Sequence, residues 1–171
     1  MYFPLLKIHV NIYVAVCCLI MAFFSVGCAR GRHEVSPYPP FCSEETPSIW
    51  PVNHPATRIS SPFGEVRSGG RRHKGIDLAT PEGTPVVATA SGQTTFSGWQ
   101  SAYGNIIIIN HGKGLETAYA HLKRCLKRAG EYVRRGDKIG LVGATGNATG
   151  PHLHYEVRQD GVPVNPKPWL P

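Results

Sequence analysis

Apolar positions along this chain form one unbroken block near the start and many short runs after Trp50. Ile12 to Gly27 is sixteen residues without a charge. Further on, Val86-Val87-Ala88 closes at a turn around Ser91-Gly92, and four consecutive isoleucines lie within Asn105 to Asn110. Leu115 to Leu122 alternates in part, and Lys138 to Val142 and Leu153 to Val157 complete the set. Runs this short, rich in β-branched residues and bounded by glycine, predict strands. Ile106 to Ile109 lacks alternation, which predicts a strand buried on both faces. Asp160-Gly161, between Tyr155–Arg158 and Val162–Val164, predicts a two-residue hairpin turn. One helical turn is expected, around Lys123–Arg128. The predicted fold is all-β, a single compact domain of short antiparallel strands.

The first apolar block has a different reading. A bilayer-spanning helix needs about 20 apolar residues, whereas the core of an export signal is shorter. The block lies at the terminus, has no polar face, and passes at Arg30 into polar, proline-rich sequence. It reads as an export signal rather than a buried core helix. Its end, Ser25-Val26-Gly27-Cys28, resembles the bacterial lipoprotein signal, with Ser25 where that signal usually carries Leu. The resemblance implies a signal peptide over 1–27 and lipid attachment at Cys28, tethering the chain to a membrane without spanning it. Four prolines and no periodicity make residues 28–49 an extended tether. The folded domain is then expected over 50–171. Cys42 and Cys125 are able to pair after export, and both are equally able to stay free.

Composition narrows the class. A length of 171 residues suits one domain with appendages. Hydrophobic residues at 42% and charged residues at 17% exclude a disordered chain. Five cysteines are too few for a disulfide scaffold. The net charge of +7 suggests attraction to polyanions, but it is modest and spread along the chain. It does not point to nucleic acid, because Arg71-Arg72 and Arg134-Arg135 are isolated pairs with no aromatic platform around them.

Histidines and one aspartate carry the candidate chemistry. The first motif is His73-Lys-Gly-Ile-Asp77, and the second is His152-Leu-His154. On a strand, residues i and i+2 share a face about 6.6 Å apart, so His152 and His154 can look into one site. One would ligate a metal ion and the other would stand beside it. His73 and Asp77, four apart, would be roughly 13 Å apart on a straight strand, too far to share one ion. The segment must bend, and Gly75 is the residue type that permits bending. Three protein ligands with a fourth place left to water is the arrangement of a catalytic zinc site. Either motif alone is weak, since His-x-His often arises by chance on surface strands.

The order of blocks around these motifs is more specific. Phe63-Gly64, His73-Lys-Gly-Ile-Asp77-Leu-Ala, Gly83-Thr-Pro-Val-Val-Ala88, Tyr103-Gly-Asn105, Tyr119-Ala-His121-Leu122, Gly136-Asp-Lys-Ile-Gly140, Gly143-Ala-Thr-Gly146 and Gly150-Pro-His-Leu-His-Tyr-Glu156 follow one another. Together they resemble the lysostaphin-like LytM zinc metallopeptidases of peptidase family M23, over about residues 50–170. The resemblance implies one Zn²⁺ held by His73, Asp77 and His154 in a groove-shaped active site. It implies His121 and His152 as the catalytic histidines, with the choice of base and oxyanion partner left open. It implies peptidoglycan as substrate and a location in the cell envelope. Tyr119 and Glu156 are expected to support the walls of the site, and His111 to be a surface or strand-end residue. The alternative is a non-catalytic regulator that activates a cell-wall amidase, as some members do after losing ligands. Residues 29–57 are a candidate cover for the groove, through Asn53 or His54.

Overall fold

The computed structural model describes residues 46–171. The expected signal and most of the tether, with Cys28 and Cys42, lie outside the described residues. Packing begins at Pro47, which is buried, and at Ser48, whose N–H donates to Thr89 O at 3.2 Å.

Ten strands among the described residues form one connected antiparallel sheet. They are β1 (Arg58–Ser61), β2 (Ile76–Ala79), β3 (Pro85–Val87), β4 (Gly92–Gln100), β5 (Gly104–Gly112), β6 (Leu115–Cys125), β7 (Tyr132–Val133), β8 (Lys138–Val142), β9 (His152–Gln159) and β10 (Val162–Val164). The central path runs β1-β2-β9-β6-β5-β4-β7, with β10 on β9, β8 on β6 and β3 on β8. The all-β expectation holds. Lys123–Cys125, expected to begin a helical turn, continue strand β6 instead, because Leu122, Arg124 and Cys125 pair with β8. Among the described residues the helical elements are three 3-10 turns of three residues each.

Alternation along the central strands separates two faces. Leu78 of β2, Leu153, Tyr155 and Val157 of β9, Tyr119 of β6 and Ile107 and Ile109 of β5 are fully buried in the main core. Ile106, Ala118 and Ala120 form a smaller cluster on the opposite face, with Tyr103 and Ile108 against it. The run of isoleucines therefore feeds both sides of the sheet, as its lack of alternation predicts. The β9–β10 turn uses Asp160 at φ 51° and Gly161 at φ 78°, the left-handed pair that a tight hairpin needs.

Two expectations change. His111 is 3% exposed and belongs to β5; it donates Nδ1–H to Ser91 O at 2.8 Å and meets Thr117 Oγ1 at 2.7 Å. It lies one residue from the end of β5, as the strand-end expectation has it, but it is a hydrogen-bonded core histidine and not a surface one. Tyr119 also lies in the main core, where its hydroxyl meets Thr89 and Thr117 rather than a site wall. Cys125 is a free, half-buried thiol.

Candidate metal centre and groove

Strand pairing assembles the centre. β2 and β9 are antiparallel neighbours with Asp77 opposite His154 and Ala79 opposite His152. On the other side of β9, Ala118 and Ala120 of β6 lie opposite Glu156 and His154. These alanines leave room on the smaller-cluster face for the long side chains of β9. His73 precedes β2, and a bend at Gly75 carries it back toward Asp77. Gly75 has no left-handed φ, so its role differs from the expected conformational freedom. A Cβ there would press on the Tyr155 carbonyl oxygen and lie 2.9 Å from Glu156 Cγ, so the residue must be glycine to let the segment close on β9.

His73 Nε2, Asp77 Oδ1 and His154 Nδ1 form a tight triangle. The carboxylate oxygen lies 3.0 Å from His73 and 2.7 Å from His154, and the two nitrogens are 3.0 Å apart. All three residues are buried. They are the one group of three or more His, Cys, Asp or Glu side chains among the described residues that could hold a metal ion. The outward nitrogens are already used. His73 donates Nδ1–H to Pro62 O at 2.8 Å, and His154 donates Nε2–H to Glu156 Oε1 at 2.9 Å. His73 Nε2 therefore turns a lone pair inward. His154 Nδ1 either holds a proton toward Asp77 or offers a second lone pair. Without that proton, three electron-rich atoms this close repel one another unless a cation lies between them. Bonds of about 2.0 Å in a tetrahedral site space ligand atoms about 3.3 Å apart, so only a slight opening of the triangle is needed. The donor set fits a divalent metal ion.

Electrostatics agree with that fit. Burial works to raise the Asp77 carboxyl, but hydrogen bonds from His154, His73 and Arg67 outweigh it and hold it well below the usual carboxylate range. Burial works to lower His154, yet its hydrogen bonds to Asp77 and Glu156 raise it overall. A cation thus competes with a proton at His154 Nδ1. Glu156 is fully buried; burial opposes its ionisation, but His154, Arg158 and Tyr103 hold it at about 2.

Two further histidines stand beside the triangle. The His121 and His152 rings are 4.7 Å apart, and His121 is 5.8 Å from the His154 ring. His121 reaches this face through a β-bulge. Between the pairs Ile107–Tyr119 and Asn105–Leu122, β6 advances three residues while β5 advances two, and His121 adopts φ 60°. Regular alternation would send His121 toward the core; the extra residue re-aims it. His121 donates Nδ1–H to Thr145 O at 2.8 Å, and His152 donates Nδ1–H to Gly150 O at 2.8 Å. Each ring thus turns Nε2 away from its carbonyl partner, and His152 Nε2 lies 3.8 Å from Asp77 Oδ1. Burial lowers His121 to about 4, with the Thr145 carbonyl only partly opposing, so its ring is neutral at pH 7. The Gly143–Gly146 block positions that carbonyl: a Cβ on Gly146 would meet Ala102 O at 2.6 Å and Gly104 Cα at 2.8 Å.

Arg67 is absent from the sequence motifs, Tyr103 stands in them without a role, and Glu156 supports the site wall as expected. Arg67 donates to Asp77 Oδ2 at 2.6 Å and to Ser61 Oγ at 2.8 Å, leaving Oδ1 to face the histidines. Tyr103 donates to Glu156 Oε1 at 2.8 Å, and its ring lies 5.7 Å from that of His154. Glu156 is the second acceptor that orients His154, and its i+2 spacing from His154 was the available signal. All five predicted site residues line one groove of about 780 Å³. Asn53 and His54 do not; they line a separate cavity with Leu78 and Val87.

Known proteins share the sequence and fold of this chain. The sequence profile of Peptidase family M23 matches residues 71–166, more than half of the chain. The DD-carboxypeptidase/endopeptidase Mpg of Neisseria meningitidis serogroup B is 54% identical over 114 residues, 64% of this chain and 26% of that protein. The murein hydrolase activator EnvC of Escherichia coli is 37% identical over 123 residues, 72% of this chain and 29% of that protein. The chain thus spans about a quarter of the length of these curated relatives. Among solved structures, a zinc-containing peptidase from Vibrio cholerae superposes with a TM-score of 0.65 at 40% identity, over 70% of this chain and 39% of that one. The catalytic domain of lysostaphin from Staphylococcus simulans gives 0.62 at 31% identity, over 66% and 91%. Profile, relatives and fold converge, and the chain belongs to peptidase family M23.

Proposed function

We propose that this chain is a zinc-dependent endopeptidase that hydrolyses peptide bonds in peptidoglycan stem peptides or cross-links. The observation that carries the proposal is the complete set: three buried donor atoms within 3.0 Å of one another, with two histidines beside them that each donate Nδ1–H to a backbone carbonyl. Two imidazoles and one carboxylate suit zinc better than the all-oxygen shells preferred by calcium or magnesium. When bound, zinc supplies Lewis-acid polarisation of the scissile carbonyl and makes water easier to deprotonate near neutral pH.

The protein's own groups do the rest. His73, Asp77 and His154 hold the ion; Pro62 O, Glu156 and Arg67 fix their orientation. His121 and His152 share the proton handling through Nε2, since Nδ1 of each is held by a backbone carbonyl. One accepts the proton of the attacking water as the C–O bond forms, then returns it to the leaving amine as the C–N bond breaks. The other enters the cycle carrying a proton at Nε2 taken up from solvent, donates that hydrogen bond to the developing oxyanion, and keeps the proton when the carbonyl re-forms. The His121 pKa of about 4 keeps that ring unprotonated and able to accept.

The named activity of the Neisseria relative supports peptide-bond hydrolysis, and the E. coli relative's name keeps a regulator as the alternative. The test is digestion of purified peptidoglycan with and without a chelator. His121→Ala and His152→Ala should retain zinc and lose fragment release, whereas His154→Ala should lose both. Zinc retention with no chelator-sensitive fragments in the unmodified chain would favour the regulator. The sequence supports export to the cell envelope, a signal over 1–27, a tether over 28–49 and lipid attachment at Cys28. Cys28→Ser should then shift the protein out of the membrane fraction.

A further inference from the structure

One wall of the groove is unusually basic. Residues 64–73 form a short hairpin of their own, with Gly64 N–H donating to His73 O, His73 N–H to Glu65 O and Arg67 N–H to Arg71 O at 2.7–2.9 Å. The turn passes through Gly69 and Gly70 at φ 78° and 72°, and Val66 bridges Arg72. The Arg67 side chain pins this hairpin to Asp77. Arg67, Arg71, Arg72 and the following Lys74 all line the groove and are exposed.

Their charges are not equally matched. Arg67 is paired with Asp77. Among the described residues, no carboxylate lies within 4.0 Å of the Arg71, Arg72 or Lys74 cations, although Lys123 and Arg158 both have acidic partners. The two acids of the groove, Asp77 and Glu156, are buried and already engaged. Asn147, Thr149, Gly150 and Pro151, which also line the groove, bring no charge. Three unmatched positive charges on one wall draw an anion into the cleft, and a bound divalent cation would strengthen the attraction. Arginine's planar fork matches a carboxylate. The Arg71 and Lys74 side chains make no hydrogen bond to any described residue, so both are available to a ligand. Arg72 spends one donor on Gly64 O at 3.2 Å.

We propose that Arg71 and Lys74, with Arg72 beside them, form a subsite for a free carboxylate of the bound peptide, so that this groove selects carboxylate-bearing peptides over neutral ones. The inference rests on the peptidase reading of the same groove.

The test uses cross-linked stem peptides purified from peptidoglycan, and the same peptides with their carboxylates converted to amides. With the zinc-loaded chain at low salt, kcat/KM should favour the free acid by about tenfold, the scale of one charge-assisted contact. Raising the salt should shrink that preference. Arg71→Gln with Lys74→Gln should abolish it, through KM rather than kcat, while zinc content and turnover of the amide stay unchanged. Equal kcat/KM for acid and amide in the unmodified chain, or a preference surviving the double variant, would overturn the subsite and leave the peptidase reading standing. Binding to zinc-loaded His121→Ala, followed by anisotropy of the same labelled peptides, separates the two readings. Acid-selective binding with no hydrolysis by the unmodified chain would keep the subsite and remove the peptidase. Unselective binding would remove the subsite.

Discussion

Replacing Glu156 by Gln keeps the shape of the side chain and deletes its charge. In the folded chain this carboxylate accepts from His154 Nε2 at 2.9 Å, Tyr103 Oη at 2.8 Å and Arg158 Nε at 2.7 Å, and it is fully buried. Burial alone would raise its pKa; the histidine, arginine and tyrosine together bring it from 4.5 to about 2. At about 1.36 kcal/mol per pH unit, that difference stabilises the folded chain by about 3 kcal/mol at neutral pH. The folded pKa is depressed, so the contribution is present above about pH 4.5 and is lost as pH falls toward 2. More than half of it should be gone by about pH 3. Urea denaturation of metal-free protein gives the measurement. Glu156→Gln should be less stable by about 3 kcal/mol at pH 7, and the gap should narrow steeply between about pH 5 and pH 3. Asp77 is common to both proteins and cancels in the difference. A gap that stays constant down to pH 3 would refute the assignment of this stability to the buried carboxylate. The same substitution weakens the acceptor that holds His154 in its ligating tautomer, and zinc affinity should drop by about 10- to 100-fold.

The remaining predictions concern separate parts of the fold. Gly75→Ala drives a methyl group into the Tyr155 carbonyl and Glu156 Cγ, so thermal unfolding should show a loss of about 3 kcal/mol or more, and a neutral result would refute the close-approach reading. The His121 ring of the metal-free protein should titrate with a midpoint near 4 in NMR, because burial disfavours its cation; a midpoint near 6.5 contradicts the structure. Thr89→Val removes the hydroxyl that meets both Tyr119 Oη at 3.0 Å and Tyr155 Oη at 2.9 Å in the core. It should cost about 1–3 kcal/mol in chemical denaturation while leaving zinc binding intact; no change in stability would show that these buried hydroxyls find other partners.

Local pattern carried much of this protein. The glycine-bounded β-branched runs marked β5, β8 and β9 to within a few residues, because a strand's side-chain period is set by its own backbone. The period also put His152, His154 and Glu156 on one face, and Asp160-Gly161 specified its turn chemically. β4 escaped notice: Gly92–Gln100 is largely polar and is held in place by its pairing with β5 and β7, not by a pattern of its own. The resemblance to a known family identified five residues for the centre, but periodicity reports which side a residue faces and not what it meets there. Bringing His73 to within 3.0 Å of His154, across 81 positions, took the register of β2 on β9 and the missing Cβ at residue 75. Turning His121 into the groove took a bulge whose extra residue is defined only by the strand beside it. Arg67 became a partner of Asp77 through the folding of a loop that has no periodic signal. Short-range preferences act through the chain's own bonds, whereas ligand geometry arises from contacts between segments that are adjacent only once the sheet has formed.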